Sequence, residues 1–128
     1  MKKYFLLIGF TISLLGFVAK FPYRQFIYQN HISDFGLADS VPSFLFVIGM
    51  TFIIFSLSEM KKKKVAIRTI ALVTAGALLY EFEQLSLNMI FDVKDVASTI
   101  LGGFASFMLY KSILKKQVLR IQKEAIQT

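Results

Sequence analysis

The chain of 128 residues contains no cysteine, which excludes disulfide bonds, thiolate metal sites and cysteine nucleophiles. It contains one histidine, His31, and without a second histidine or a cysteine this residue indicates a surface position rather than a zinc ligand. Tryptophan is absent, and proline occurs only twice. From these absences we expect neither a resident metal nor a cofactor.

Acidic residues are scarce: there are 8 aspartates and glutamates against 15 lysines and arginines, and the formal net charge is +7. An excess of positive charge can indicate nucleic-acid binding. Here, however, the basic residues lie at the ends of apolar runs, a distribution that is typical of membrane proteins. The charge therefore indicates a membrane protein, and we expect no nucleic-acid partner.

Apolar residues, in contrast, are abundant: 55% of the chain is hydrophobic, and the mean hydropathy is +0.61. A soluble domain of this size has too little interior to bury so much apolar surface. A lipid bilayer removes this difficulty, because the lipid itself is an apolar solvent. We predict a single membrane domain over residues 1–128, with the lipid bilayer as its main partner.

Four apolar runs predict an all-α fold, a bundle of four transmembrane helices. The predicted helices cover residues 4–21, 41–58, 65–87 and 94–116, and a basic cytoplasmic tail follows at 117–128. A helix needs about 20 residues to cross the ~30 Å hydrocarbon core. Tyr80 and Tyr110 end the last two runs, which suits anchoring at the membrane interface. The first run could instead be a secretory signal peptide, but the bulky Phe17 in its cleavage region favours an uncleaved helix.

The distribution of the basic residues predicts the orientation of the bundle. With a cytoplasmic N-terminus, 12 of the 15 lysines and arginines lie on the inner side, in agreement with the positive-inside rule. The three basic residues on the outer side are Lys20, Arg24 and Lys94. We therefore predict that both termini are cytoplasmic. Six of the 8 acids then lie outside, and the positive-inside rule does not explain this second asymmetry.

Several outer acids flank the turn between the third and fourth helices. Glu81, Gln84 and Asn88 are spaced i, i+3 and i+7 and share one helix face, whereas Glu83 points elsewhere. A carboxylate exposed to lipid is energetically unfavourable. Glu81 therefore either faces the bundle in a functional site, or is solvated at the interface and paired with Lys94.

The remaining outer acids lie at predicted helix starts. Asp92 can cap the fourth helix, with Asp95 in its first turn, and Asp39 or Ser40 can cap the second. Capping alone is one explanation of these acids, and an acidic pocket on the outer face is another. The candidate binding residues of this pocket are Glu81, Gln84, Asp92, Asp95 and Asp39.

Residues 79–110 resemble the VanZ-like family, small bacterial membrane proteins named after a teicoplanin-resistance accessory protein. The residues that carry the resemblance are Glu81, Gln84, Asp92, Asp95 and Gly102. The chain departs from the family pattern at Met89, Thr99 and Ser106, where the family often has arginine, asparagine and glycine. Gly102 and Gly103 also form a small-residue patch, which predicts close contact of the fourth helix with its neighbours.

The resemblance implies a multi-pass protein of the bacterial plasma membrane, in the context of the cell envelope and of antibiotics that act at the cell surface. Three functions remain open. The outer acids could bind an envelope lipid headgroup or a glycopeptide; they could hold Mg²⁺ or Ca²⁺ in a membrane-embedded hydrolase or transferase; or they could only cap helices in a structural or assembly subunit. No nucleophile has an obvious base partner, so binding is favoured over catalysis, and the oligomeric state stays open.

Overall fold

Four long helices account for most of the molecule. The computed structural model describes residues 1–58, 62–87 and 91–127. The helices are α1 (Lys2–Gln29), α2 (Leu37–Leu57), α3 (Lys63–Ser86) and α4 (Val93–Gln127), and the described residues contain no strand. Each helix is long and apolar enough to cross a membrane. The predicted all-α class with four membrane-spanning helices is confirmed, and the fold is compatible with a multi-pass membrane protein.

The first helix extends past residue 21, its predicted end, because it accommodates Pro22 without breaking. The segment Ala19–Tyr23, which contains this proline, forms a turn of π-helix. Proline lacks an N–H and clashes with the carbonyl of the preceding turn, so a wider turn lets the helix continue. The chain beyond the π-turn is again α-helical, over Arg24–Gln29. Polar side chains of this last part of α1 thereby become part of the bundle.

The second helix begins before the two residues that were predicted to cap it, Asp39 and Ser40. Gly36 precedes the first helical residue with φ of +81°, a left-handed conformation that glycine adopts without strain. The carboxylate of Asp34 accepts hydrogen bonds from the backbone N–H groups of Gly36 (3.2 Å) and Ala38 (2.7 Å). The predicted cap was therefore wrong: Asp34 satisfies the helix start, and Asp39 lies in the first turn with its carboxylate available for other contacts.

The fourth helix starts as predicted and runs on to the end of the described chain. The carboxylate of Asp92 accepts a hydrogen bond from the backbone N–H of Lys94 at 2.9 Å, which is an N-cap contact. The helix continues to Gln127 and includes the basic segment that follows residue 116. At ~1.5 Å per residue it is roughly 50 Å long, well above the ~30 Å of a hydrocarbon core.

Helix α2 lies at the centre of the bundle and packs against the other three. Helix α4 also packs against α3, whereas no Cα atom of α1 lies within 8 Å of a described Cα atom of α3 or α4. Close packing depends on the predicted glycine patch. A Cβ atom on Gly102 would lie 2.8 Å from the carbonyl oxygen of Phe44 in α2, and one on Gly103 would overlap the side chain of Thr74 in α3. Small residues here let the helix backbones approach each other.

An aromatic cluster closes the end of the bundle where α1 begins and α2 ends. The ring of Phe55 lies 5.7 Å from that of Phe5, 5.5 Å from that of Phe52 and 5.3 Å from that of Tyr110. Tyr110 is only 2% exposed, so its predicted role as an interfacial anchor was wrong. It packs against α2 because the helices are in close contact at this level.

Candidate functional site

The opposite end of the bundle is open, and the candidate residues meet there. A cavity of about 1180 Å³ lies between α1 and α3, with α2 and α4 contributing to its wall. The candidate binding residues on this wall are Asp39, Glu81, Gln84, Asp92 and Asp95. They come from the start of α2, the end of α3 and the start of α4, so these helix ends lie on one side of the bundle. Asn88 lies outside the described residues. We call this cavity the acidic cleft.

The carboxylate of Glu81 faces the acidic cleft. The residue is 6% exposed, and its Oε1 accepts a hydrogen bond from the hydroxyl of Ser43 on α2 at 3.3 Å. Lys94, the alternative partner, forms no ion pair with Glu81 in the described part of the chain. Its Nζ lies beside Gly36 instead, 2.9 Å from where a Cβ atom on that glycine would be. Glu83 is exposed and does not line the cleft. Glu81 is thus buried at the cleft, whereas Glu83, two residues later, is exposed.

Two polar atoms on α4 are buried beside the acidic cleft without a hydrogen-bond partner. They are Oδ1 of Asp95 and Oγ1 of Thr99, one helical turn apart, and both residues line the cleft. Thr99 is fully buried. A buried polar group without a partner destabilises a fold by about 1–3 kcal/mol. Capping does not account for either atom, because both oxygens are left without a donor.

The α1 side of the cleft is basic. The guanidinium of Arg24 lies 2.9 Å from Oδ1 of Asp39, and the hydroxyl of Tyr28 donates a short hydrogen bond to the same oxygen. Arg24 also donates to the Tyr28 hydroxyl at 3.4 Å, and its guanidinium carbon lies 5.4 Å from the centre of the tyrosine ring. Asp39 is therefore neutralised within the protein. Lys20, one turn earlier on α1, lines the cleft and forms no ion pair with a described residue.

The charges of the acidic cleft do not balance. Four carboxylates and two basic side chains line it, so the fully ionised cleft has a net negative charge. The carboxylates of Glu81, Asp92 and Asp39 repel that of Asp95, and the guanidinium of Arg24 opposes this repulsion. Such interactions are stronger where water is scarce than in bulk solvent. A cation that entered the cleft would meet favourable partners in Glu81 and Asp95.

Away from its charged end, the cleft is apolar. The apolar side chains of this part are Phe17, Phe46, Met50, Ile54, Leu72 and Val73. Gly76 lies in the wall between the two parts, and a Cβ atom placed on it would meet no atom within 4 Å. The acidic cleft is therefore an amphipathic groove: a polar compartment at the helix ends continues into an apolar one between the helices.

Sequence reasoning missed several residues of the cleft. Lys20 and Arg24 did carry a signal, because they are two of only three basic residues on the predicted outer side. Ser43 and Thr99 carried none, since one hydroxyl in an apolar helix is common and Thr99 was interpreted only as a departure from the family pattern. Tyr28 lay in a segment that was not predicted to be helical.

The comparisons with known proteins do not narrow the chemistry of this site. No family model, curated protein or solved structure matches the chain. Within residues 1–58, 62–87 and 91–127, no group of three or more histidines, cysteines, aspartates or glutamates is arranged to hold a metal ion. The function has to be argued from the acidic cleft itself.

Proposed function

We propose that this chain is a VanZ-like integral membrane protein of the bacterial plasma membrane that binds a cationic or hydrogen-bond-donating group of an envelope molecule. The binding site is the acidic cleft, on the outer face of the membrane. One observation carries this proposal: Glu81 and Asp95, from different helices, share one cavity in which an oxygen of Asp95 lacks a donor. Four of the five residues that carry the VanZ resemblance, all but Gly102, line the acidic cleft.

A purely structural role for the acids is the main alternative. Capping accounts for Asp92, whose carboxylate bonds the first turn of α4. It does not account for Glu81, which lies towards the C-terminal end of α3 and therefore far from any helix start that it could cap. Nor does it explain a buried, unpartnered oxygen on Asp95. Binding therefore accounts for more of the cleft than capping does.

The orientation can be tested with single cysteines, because the chain has none of its own. Ser33 is exposed between α1 and α2, and Gln122 is exposed near the end of α4. The positive-inside rule places Ser33 outside and Gln122 in the cytoplasm. We expect a membrane-impermeant maleimide to label Ser33→Cys in intact cells and Gln122→Cys only after permeabilisation. The reverse pattern would place the acidic cleft in the cytoplasm and contradict the proposal.

The role of the cleft can be tested by neutralising Glu81. We expect Glu81→Gln to weaken binding of a cationic group at least about tenfold, because a contact with an ionised partner contributes about 1.5–3 kcal/mol. In cells that express the protein, the tolerance of teicoplanin should fall to that of cells without it. The measurement is the lowest inhibitory concentration at matched membrane abundance.

Glu83→Gln is the matched control, since it makes the same chemical change two residues away on an exposed surface. It should leave the tolerance unchanged. Equal tolerance for the wild type, Glu81→Gln and cells without the protein would exclude a glycopeptide-related role. A loss of abundance in Glu81→Gln, with normal tolerance per molecule, would favour the structural alternative.

A further inference from the structure

The acidic cleft has the length, the lateral opening and the charge pattern of a site for one membrane lipid. We propose that its ligand is a phospholipid whose headgroup carries a primary amine, and that the lipid enters sideways from the outer leaflet between α1 and α3. This assignment of the ligand rests on the proposed function, which places the acidic cleft at the outer face.

The lateral opening follows from the packing of the helices. Residues of α1 and α3 line the same cavity, yet no described Cα atom of α1 approaches one of α3 within 8 Å. The apolar part of the cleft includes Phe17 on one side of this gap and Leu72 on the other. In a bilayer, such a gap between two spanning helices faces lipid chains directly. A lipid can therefore reach the cleft without leaving its leaflet.

The length of the cleft matches one leaflet. Its lining spans residues 13–28 on α1, 39–54 on α2 and 72–84 on α3. At ~1.5 Å per residue these segments are roughly 22, 22 and 18 Å long. Half of a ~30 Å hydrocarbon core is about 15 Å. The cleft thus accommodates one headgroup and most of one acyl chain, and it is longer than a soluble headgroup alone requires.

The charge pattern matches a headgroup that carries both a phosphate and an amine. Glu81 and Asp95 lie on α3 and α4, and neither forms an ion pair with a described residue. Lys20 lies on α1 and also forms no ion pair in this part of the chain. An ammonium group can contact the two carboxylates while the phosphate contacts the lysine. A lipid with a phosphate but no amine would leave the two carboxylates without a cationic partner.

The unpartnered oxygens distinguish a primary amine from a quaternary one. Oδ1 of Asp95 is an acceptor, and Oγ1 of Thr99 can accept as well; both are buried without a donor. A primary ammonium group has three N–H donors and can satisfy both atoms together with Glu81. A trimethylammonium group is equally positive but has no N–H donor. We therefore expect phosphatidylethanolamine to bind and phosphatidylcholine to bind poorly.

The test uses the purified full chain in detergent micelles with added lipids of identical acyl chains. Binding is measured by native mass spectrometry and by the shift of the melting temperature. We expect phosphatidylethanolamine to bind at least about tenfold more tightly than phosphatidylcholine, phosphatidylglycerol or N-acetylated phosphatidylethanolamine, since each of the three lacks the N–H donors of an ammonium group. Equal binding of all four lipids would overturn the proposal.

Variants separate the two compartments of the cleft. The double variant Glu81→Gln, Asp95→Asn should lose the preference for the amine, whereas Glu83→Gln should retain it. Gly76→Phe should fill the apolar part, because a side chain on Gly76 has open space around it, and should prevent binding of every lipid without lowering the melting temperature of the lipid-free protein. Retention of phosphatidylethanolamine binding by Gly76→Phe would overturn the placement of the acyl chain.

The ligand assignment and the proposed function can fail separately. If phosphatidylethanolamine has no advantage but Glu81→Gln still lowers teicoplanin tolerance, the lipid assignment is wrong and the acidic cleft binds another envelope molecule. If Glu81→Gln and Glu83→Gln are indistinguishable in both assays, both proposals fail. A dimer, detected as a doubled mass in the same spectra, that binds no added phosphatidylethanolamine would overturn the lipid assignment alone.

Discussion

Gly102→Val is expected to lower the free energy of unfolding by about 3 kcal/mol, the upper end of the range for inserting atoms into a packed interior. The first carbon of the new side chain would lie 2.8 Å from the carbonyl oxygen of Phe44 and 3.1 Å from Cβ of Val47. The first of these contacts is with backbone, so a change of rotamer cannot relieve it, and α4 must move away from α2. We expect a broad elution profile and a lower melting temperature in detergent micelles.

Gly76→Val is the matched control for this prediction. It makes the same substitution within a helix, so the change in intrinsic helix propensity is the same. A Cβ atom on Gly76 meets nothing within 4 Å. The difference between the two variants therefore measures the contact between α4 and α2. Equal melting temperatures for both variants would show that α4 does not approach α2 as closely as the structure indicates.

Phe55→Ala is expected to lower the free energy of unfolding by about 2–3 kcal/mol. Phe55 is fully buried and lies within 6 Å, centre to centre, of the rings of Phe5, Phe52 and Tyr110. In soluble cores the same change costs about 3–5 kcal/mol. In a membrane the separated helices keep their side chains in apolar surroundings, so mainly the packing and cavity contributions are lost. The measurement is unfolding by SDS in mixed micelles, followed by circular dichroism.

Phe104→Ala is the control for Phe55→Ala. Phe104 lies on α4 and is 64% exposed, on a surface that lipid or detergent covers. Detergent chains of the micelle can replace the contacts of the missing ring. The expected change in the free energy of unfolding is therefore within about 0.5 kcal/mol. If both variants lost the same stability, the aromatic cluster would not be a packed core, and α1 would need another anchor on the bundle.

The number and the approximate positions of the helices could be predicted from the sequence, because each apolar run is close to the length that a bilayer requires. The helix ends were harder, since they depend on a few local hydrogen bonds. Asp34 and Gly36 start α2 before the apolar run begins. The hydropathy pattern does not predict this helix start, because it depends on hydrogen bonds of polar residues outside the run. The π-turn at Pro22 likewise extends α1 where a proline near the end of the run suggests a stop.

The residues of the acidic cleft were partly predictable for a similar reason. Acids in or beside apolar runs are conspicuous, and the spacing of Glu81 and Gln84 indicates one helix face. What the sequence does not contain is the distance between α1 and α3, which results from how each packs on α2. Tyr110 illustrates the same limit: its position at the end of an apolar run suggested the interface, while the neighbouring helix places it in the core.

Among the described residues, α1 packs against α2 and no other helix. At that contact Gly49 faces Ser13 so closely that a Cβ atom on the glycine would overlap the serine side chain, and a Cβ atom on Gly9 would lie 2.7 Å from the backbone nitrogen of Ile53. The width of the gap that admits a ligand thus depends on two glycines in the contact between α1 and α2. Larger residues at these two positions would tilt α1 and change the width of the opening. The charged residues of the cleft would stay the same.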